Sequence, residues 1–293
     1  MRALITGVTG FVGMRLGAAL HAEGWEVHGV ARDPARARER APFLSSALVW
    51  DALDLEGFDA VVHLAGEPVA GLWTAAKRDR IHSSRVDTTR ALVEAMREAR
   101  PEVLVCASAV GYYGEPPDRE IAEDDPPGDG FLADVCRSWE REAERAEELG
   151  VRVVRMRIGL VMGKEGGTLA AMLPAFKAGL GGRLGSGRQW WPWIHIDDLV
   201  ALIREAIVSP WSGAYNATAP SPVTQKDFAK ALGRVLHRPA LIPTPAFALE
   251  LALGDFGREV LASRRVVPRR ALDQGFVFRF PELEPALAAL LGS

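Results

Sequence analysis

The chain has 293 residues, nearly half of them hydrophobic, and a formal net charge of −3. That length suits one large domain or two small ones with a substantial core, and so small a charge gives no electrostatic basis for nucleic acid or an anionic membrane surface. No apolar run is long enough to span a bilayer, no export pattern precedes the first strand, and two cysteines (Cys106 and Cys136) cannot build a disulfide framework, so a cytoplasmic protein is expected.

Arg2 to Thr6 reads as a short strand that runs directly into Gly7-Val8-Thr9-Gly10-Phe11-Val12-Gly13 and then an amphipathic stretch, Met14 to His21. Strand, glycine turn and helix in this order make a phosphate cradle. Glycine permits the turn and the close approach of backbone to a pyrophosphate, while the helix start offers free N–H groups and a positive dipole end. A dinucleotide is therefore the expected ligand. Trp25 to Val30 is the next strand. About where an acidic residue would hold the ribose 2′-hydroxyl of NAD stand Ala31 and Arg32. A guanidinium there suits a 2′-phosphate, which favours NADP over NAD. The adjacent Asp33 leaves the acidic role open as the alternative.

Ala47 to Trp50 and Ala60 to Ala65 are strands, the second a near-continuous apolar run as in a parallel sheet buried on both faces. Ser84 to Arg100 carries a helical apolar stripe, Val103 to Ala107 is a strand, and Phe131 to Leu149 is a charged helix closed by Gly150. Val151 to Met156 is another strand. This alternation predicts an α/β fold with a doubly wound parallel sheet, and places the site in the loops after Leu64, Ala107 and Arg157. Beyond about residue 158 the texture changes: glycine and tryptophan cluster in 179–193, and prolines punctuate 210–245. Trp193 to Leu199 reads as a strand end entering a helix capped by Asp, Gly213 to Asn216 as a strand, and Thr224 to Leu236 and Pro281 to Leu291 as helices. We expect 1–157 plus about 190–217 to form the cofactor domain, and 158–189 plus 218–293 a smaller substrate-side domain.

The glycine turn, His63-Leu64-Ala65-Gly66, Ser108 to Gly114 and His195-Ile196-Asp197-Asp198 resemble the extended short-chain dehydrogenase/reductases, a group with a Rossmann-type sheet. Ser84-Arg85-Val86, Trp139-Glu140 and Gly187 to His195 are more narrowly similar to an atypical epimerase subgroup, nucleoside-diphosphate-sugar epimerase-like and also labelled cell-division-inhibitor-like. The resemblance implies cofactor contacts from Gly7, Thr9, Gly10, Phe11, Val12, Gly13, Arg32, Asp51, Leu64, Ala65, Gly66 and Arg85, with Asp51 at the adenine. It also implies a small-molecule substrate, a nucleotide sugar among the options, and a homodimer through the helices of 84–100 and 131–149.

The chain departs from that family where its chemistry is done. The family's Tyr-x-x-x-Lys pair would fall at Leu132 and Cys136, its serine at Ala109 and its asparagine at Arg85. Tyr113, Tyr112 and Ser108 are the remaining candidates for proton transfer or for holding a substrate carbonyl, with Arg85 or Arg157 tuning a phenol. Glu67 is either an acid/base or a solvated carboxylate. The Gly181 to Arg188 loop, with Arg183, Arg188 and Trp190, Trp191 and Trp193, would hold a second anion and a stacked ring, or else form core. The histidines lack metal-ligand spacing, so no metal is expected. Two functions stand: an NADP-dependent reductase or epimerase/dehydratase-like enzyme, and a non-catalytic NADP(H) sensor or protein-interaction module.

Overall fold

The computed structural model describes residues 1–292. The first half alternates strand and helix: β1 (Arg2–Thr6), α1 (Phe11–Ala22), β2 (Glu26–Val30), α2 (Pro34–Arg40), β3 (Ser46–Leu48) and β4 (Ala60–His63). There follow α3 (Ala75–Ala95), β5 (Val103–Ala109), β6 (Glu120–Ile121), α4 (Phe131–Glu144), β7 (Arg152–Ile158), β8 (Leu160–Met162) and α5 (Gly167–Lys177). The second half continues with β9 (Trp190–Trp191), β10 (Trp193–His195), α6 (Ile196–Val208), β11 (Gly213–Ala217), β12 (Val223–Thr224) and α7 (Gln225–Val235). Last come α8 (Ala246–Leu253), α9 (Asp255–Leu261), β13 (Arg265–Val266), α10 (Arg269–Asp273) and α11 (Leu283–Leu291).

Seven strands pair in the order β11-β7-β5-β4-β1-β2-β3, all parallel. Successive residues of β1 serve opposite faces, as the two-residue strand period requires. Ala3 and Ile5 pack with Leu16 and Leu20 of α1 and Leu199 and Ile203 of α6. Leu4 joins Leu92 and Val93 of α3 and Trp139 and Ala143 of α4 on the other face. A separate core gathers Met162, Leu169, Trp191, Trp193, Phe228 and Leu287. This is the expected doubly wound sheet, with an additional core formed largely by the second half of the chain. Among the described residues, no helix is long and apolar enough to cross a membrane.

Several limits differ from the sequence reading: α3 ends at Ala95 rather than Arg100, α4 at Glu144 rather than Leu149, and β4 at His63 rather than Ala65. At two helix starts the cap supplies the reason. Helix α3 starts at Ala75, because the Thr74 hydroxyl accepts the Lys77 amide at 3.2 Å and caps a polar first turn that shows no apolar stripe. Helix α6 is capped by His195, not by Asp: His195 Nδ1 accepts the Asp197 amide at 3.0 Å. The Asp198 carboxylate instead accepts the amides of Arg279 and Phe280 at 2.8 and 2.9 Å, tying the C-terminal segment to the sheet domain.

Candidate functional site

The turn after β1 is shaped by contact with the end of β4. Gly7 has φ +67°, and a Cβ on it would lie 2.9 Å from the Leu64 carbonyl and the Ala65 nitrogen. A Cβ on Gly13 would lie 2.3 Å from the Gly7 oxygen. Both positions demand glycine on conformational or steric grounds. Gly10 is the N-cap of α1 and brings no side chain, so the first amides of the helix lack an internal cap. The half-buried Phe11 ring packs where side chains on Gly163 and Gly166 would stand, and it lines a cavity together with Thr9 and Gly10.

His63 locks the two loops together. Thr6 Oγ1 accepts the amides of Leu64 and Ala65, each at 3.1 Å, and so donates its own proton to His63 Nδ1 at 2.7 Å. That assigns the proton of the neutral ring to Nε2, which points at Thr88 Oγ1, 3.4 Å away. Burial, and next the nearby Arg85 charge, pull the His63 pKa down to about 3. The edge beside the glycine turn is thus fixed by a histidine that stays uncharged at physiological pH.

At the end of β2, Asp33 accepts the Arg36 amide at 3.0 Å as the N-cap of α2. Its carboxylate is committed to the helix. Arg32 is exposed and has no ion-pair partner among the described residues. Asp51 stands exposed in a short 3₁₀ turn after β3.

Arg85 Nη1 donates to the carbonyls of Glu67 and Ile81 at 3.0 and 3.1 Å, and its guanidinium lies over the Trp139 ring at 5.2 Å. It passes beside Gly66, where a Cβ would come within 3.1 Å of its Cζ. No carboxylate pairs with it among the described residues, and burial holds its pKa below the usual arginine value. Cys136, at the family's lysine position, is buried, and burial followed by the Glu140 charge pushes its thiol up to about 11. Glu67 takes the bland role: Lys77 Nζ bonds it at 2.8 Å and holds it below the usual carboxylate range.

The hydroxyls expected to do chemistry are largely engaged elsewhere. Ser108 donates to Glu140 Oε1 at 2.6 Å. Arg157 grips the same carboxylate through Nε and Nη2, both at 2.9 Å, and donates from Nη1 to the Tyr113 oxygen at 2.9 Å. Tyr113 donates onward to Asn216 Oδ1 at 2.7 Å, and the Asn216 amide donates to Glu123 at 3.0 Å. Every member of this chain is buried. Burial disfavours the Arg157 charge, but the Glu140 bonds outweigh it and hold Arg157 above the usual arginine value. Burial pushes Tyr113 up to about 12 against the pull of Arg157. The hydroxyls of Tyr113 and Ser108, expected as proton-transfer candidates, are members of a buried network, and Tyr113 also lines the cavity beyond it. Tyr112 is half-buried, its ring 3.5 Å from the Arg157 guanidinium, and its hydroxyl makes no hydrogen bond within the protein.

A cavity of about 630 Å³ opens beyond this edge. Its inner wall includes Gly111, in the 3₁₀ turn after β5, and Leu132 of α4; a Cβ on Gly111 would lie 3.2 Å from that of Leu132. Its outer wall joins Trp73 and Arg78 to Asp255 and Arg258 of α9. Arg78 bonds Asp255, and Trp73 meets Phe131 at 5.2 Å and Phe256 at 6.0 Å. The sequence reading missed this wall, since its partners are 177 residues apart. The Gly181 to Arg188 loop lies elsewhere. Trp191 and Trp193 are core, Arg183 bonds the Ser186 carbonyl at 3.2 Å, and neither Arg183 nor Arg188 lines the cavity. Among the described residues no cluster of His, Cys, Asp and Glu is placed to hold a metal ion.

The sequence profile of the NAD dependent epimerase/dehydratase family matches residues 3–217. The chain belongs to that family. A domain of unknown function, DUF1731, matches residues 244–290, which include α8 and α9. A chloroplastic SDR39U1 homologue of Arabidopsis thaliana, described as an epimerase family protein, is 41% identical over 99% of this chain and 87% of its own length. YfhF of Bacillus subtilis, described likewise, is 35% identical over 99% of this chain and 98% of its own. Among solved structures, human epimerase family protein SDR39U1 (isoform 2), crystallised with NADPH, superposes with a TM-score of 0.92 at 35% identity, covering all of both chains. This epimerase-family membership and the Rossmann-like sheet agree with the resemblance read from the sequence.

Proposed function

We propose that this protein binds NADPH across the carboxyl edge of the sheet and uses it on a small molecule held in the cavity behind Gly111 and Leu132. The observation that carries this reading is the prebuilt cradle: glycine is required at positions 7 and 13, and the first amides of α1 lack a cap. Arg32 meets the 2′-phosphate, because Asp33 is spent on capping α2 while the guanidinium is unpaired. Asp51 faces the adenine. Arg85 reaches the nicotinamide end, where Leu64, Ala65 and Gly66 line the way. The human relative's NADPH complex supports the same choice of cofactor. Bound NADPH would supply a hydride. The chain's part is to fix the cofactor's position and to exclude water, which is most of what such transfer asks of a protein. Tyr113, which lines the cavity, and Tyr112, whose hydroxyl makes no hydrogen bond within the described residues, are the phenols left to move a proton. The two free, buried thiols fit a reducing compartment such as the cytoplasm.

One observation favours the second reading, an NADP(H) sensor: the hydroxyls of Ser108 and Tyr113 are engaged in a buried network rather than free at the edge. Calorimetry on nucleotide-free protein tests the cofactor choice. NADPH binds more tightly than NADH, and Arg32→Ala weakens NADPH alone by about 10- to 100-fold, the worth of a charge-assisted contact. Equal loss for both cofactors would refute the assignment of Arg32. NADPH consumption with a panel of carbonyl compounds, abolished by Tyr113→Phe or Tyr112→Phe, separates the enzyme from the sensor.

A further inference from the structure

We propose that the cavity takes an uncharged carbonyl compound with a flat aromatic or otherwise apolar body, and that it rejects nucleoside diphosphates. This rests on the reading above, which asks for the carbonyl; the shape and charge of the ligand come from the wall itself.

Four arginines line the cavity, and none is free to meet an anion. Arg78 and Arg258 share Asp255, Arg119 pairs with Asp125 at 2.5 Å, and Arg264 pairs with Glu259 at 2.5 Å while also bonding the Gly114 carbonyl. Two further carboxylates on the wall, Glu115 and Asp129, have no cationic partner among the described residues. The wall thus carries five carboxylates against four guanidinium groups. A diphosphate would enter a field of its own sign and would have to displace a carboxylate for every arginine it gained.

Pro116, Pro117, Pro126 and Pro127 line the same cavity, and proline has no N–H to donate. The backbone donors that remain include the uncapped start of α4 at Gly130, which follows directly on the acidic Asp129. The apolar surface is concentrated in one corner. Trp73 and Phe131 meet edge to face, with centroids 5.2 Å apart and planes 65° apart, and the Arg78 guanidinium lies 5.7 Å and 4.8 Å from the two rings. Leu132 and Ile121 extend that surface inward. A planar aromatic body packs well into such a corner, against the face of one ring and the edge of the other.

The test is calorimetry on the full chain saturated with NADP, using 2-acetylnaphthalene and UDP-glucose as probes. The ketone binds saturably in the micromolar range, and Phe131→Ala or Trp73→Ala each weakens it by about tenfold. UDP-glucose gives no heat up to millimolar concentration. Replacing the exposed carboxylates in Glu115→Lys/Asp129→Lys, which leaves the buried network untouched, lets UDP-glucose bind. Saturable binding of UDP-glucose to the unmodified protein overturns the proposal. So does a ketone that fails to bind, or that binds indifferently to both aromatic substitutions, or continued exclusion of UDP-glucose by the charge-reversed variant. Titration of NADPH into the empty protein comes first. Its failure removes the cofactor reading, whereas NADPH binding followed by UDP-glucose binding removes only the present inference.

Discussion

Arg157 and Arg78 stand on either side of the same short stretch of chain and are held in contrasting ways. Arg157 is 3% exposed, and its donors go to Glu140, Tyr113 and the Glu123 carbonyl within a closed network. Arg78 is about a third exposed and reaches across the cavity mouth to Asp255, itself 43% exposed and shared with Arg258. A buried pair is kept in one geometry, since an unpaired member would be left charged in a low dielectric. An exposed pair exchanges readily with water and is worth little. The cofactor edge is therefore set before any ligand arrives, and the cavity mouth is the part free to adapt.

The sharpest way to break this comparison is Arg157→Met. It takes away the bidentate partner of the buried Glu140, leaving only the longer Arg155 contact at 3.6 Å, and lowers the unfolding free energy by about 3 kcal/mol in denaturant titration. A loss under 1 kcal/mol would show that the network does not hold the edge.

Acid titration of stability probes the same region. His63 is neutral in the folded protein, with a pKa near 3 against an ordinary value of 6.5. As pH falls below 6.5 the unfolded chain takes up that proton first. The stabilisation is complete above that pH and is lost progressively toward pH 3, by about 3 kcal/mol between pH 6.5 and 4. His195, lowered to about 4 by burial, adds a loss of the same sign. A His63→Gln protein shows a visibly flatter acid limb; an unchanged limb would place the sensitive group elsewhere.

Smallest is the effect of Asp255→Asn at the mouth, where stability changes by less than about 1 kcal/mol and NADPH affinity stays as it was. A large drop in either would mean that mouth and edge are one unit.

What the sequence disclosed and what it hid divide along the same line. The glycine turn and the β–α alternation are local, each spelled within a few residues. The helix read over 131–149 ends sooner, at Glu144, and Gly150, with φ +83°, closes a separate 3₁₀ turn over Glu147–Leu149. Tyr113 was visible as a tyrosine on an active-edge loop, but its partner Asn216 lies 103 residues away and nothing in the local pattern announces it. The cap on α6 was misread because Asp is the commoner capping residue, while the fold gave that task to His195 and sent Asp198 to the C-terminal segment. Helix α9 went unseen because it has 7 residues, too few for a periodic stripe.

Helix α9 has a consequence for how such proteins diversify. It contributes Asp255, Arg258 and Glu259 to the cavity wall, yet it lies outside the stretch that matches the epimerase profile, which holds the glycine turn. Changes confined to this one short segment would alter the cavity wall while leaving the glycine turn as it is, so relatives with the same turn are free to diverge in what that cavity admits.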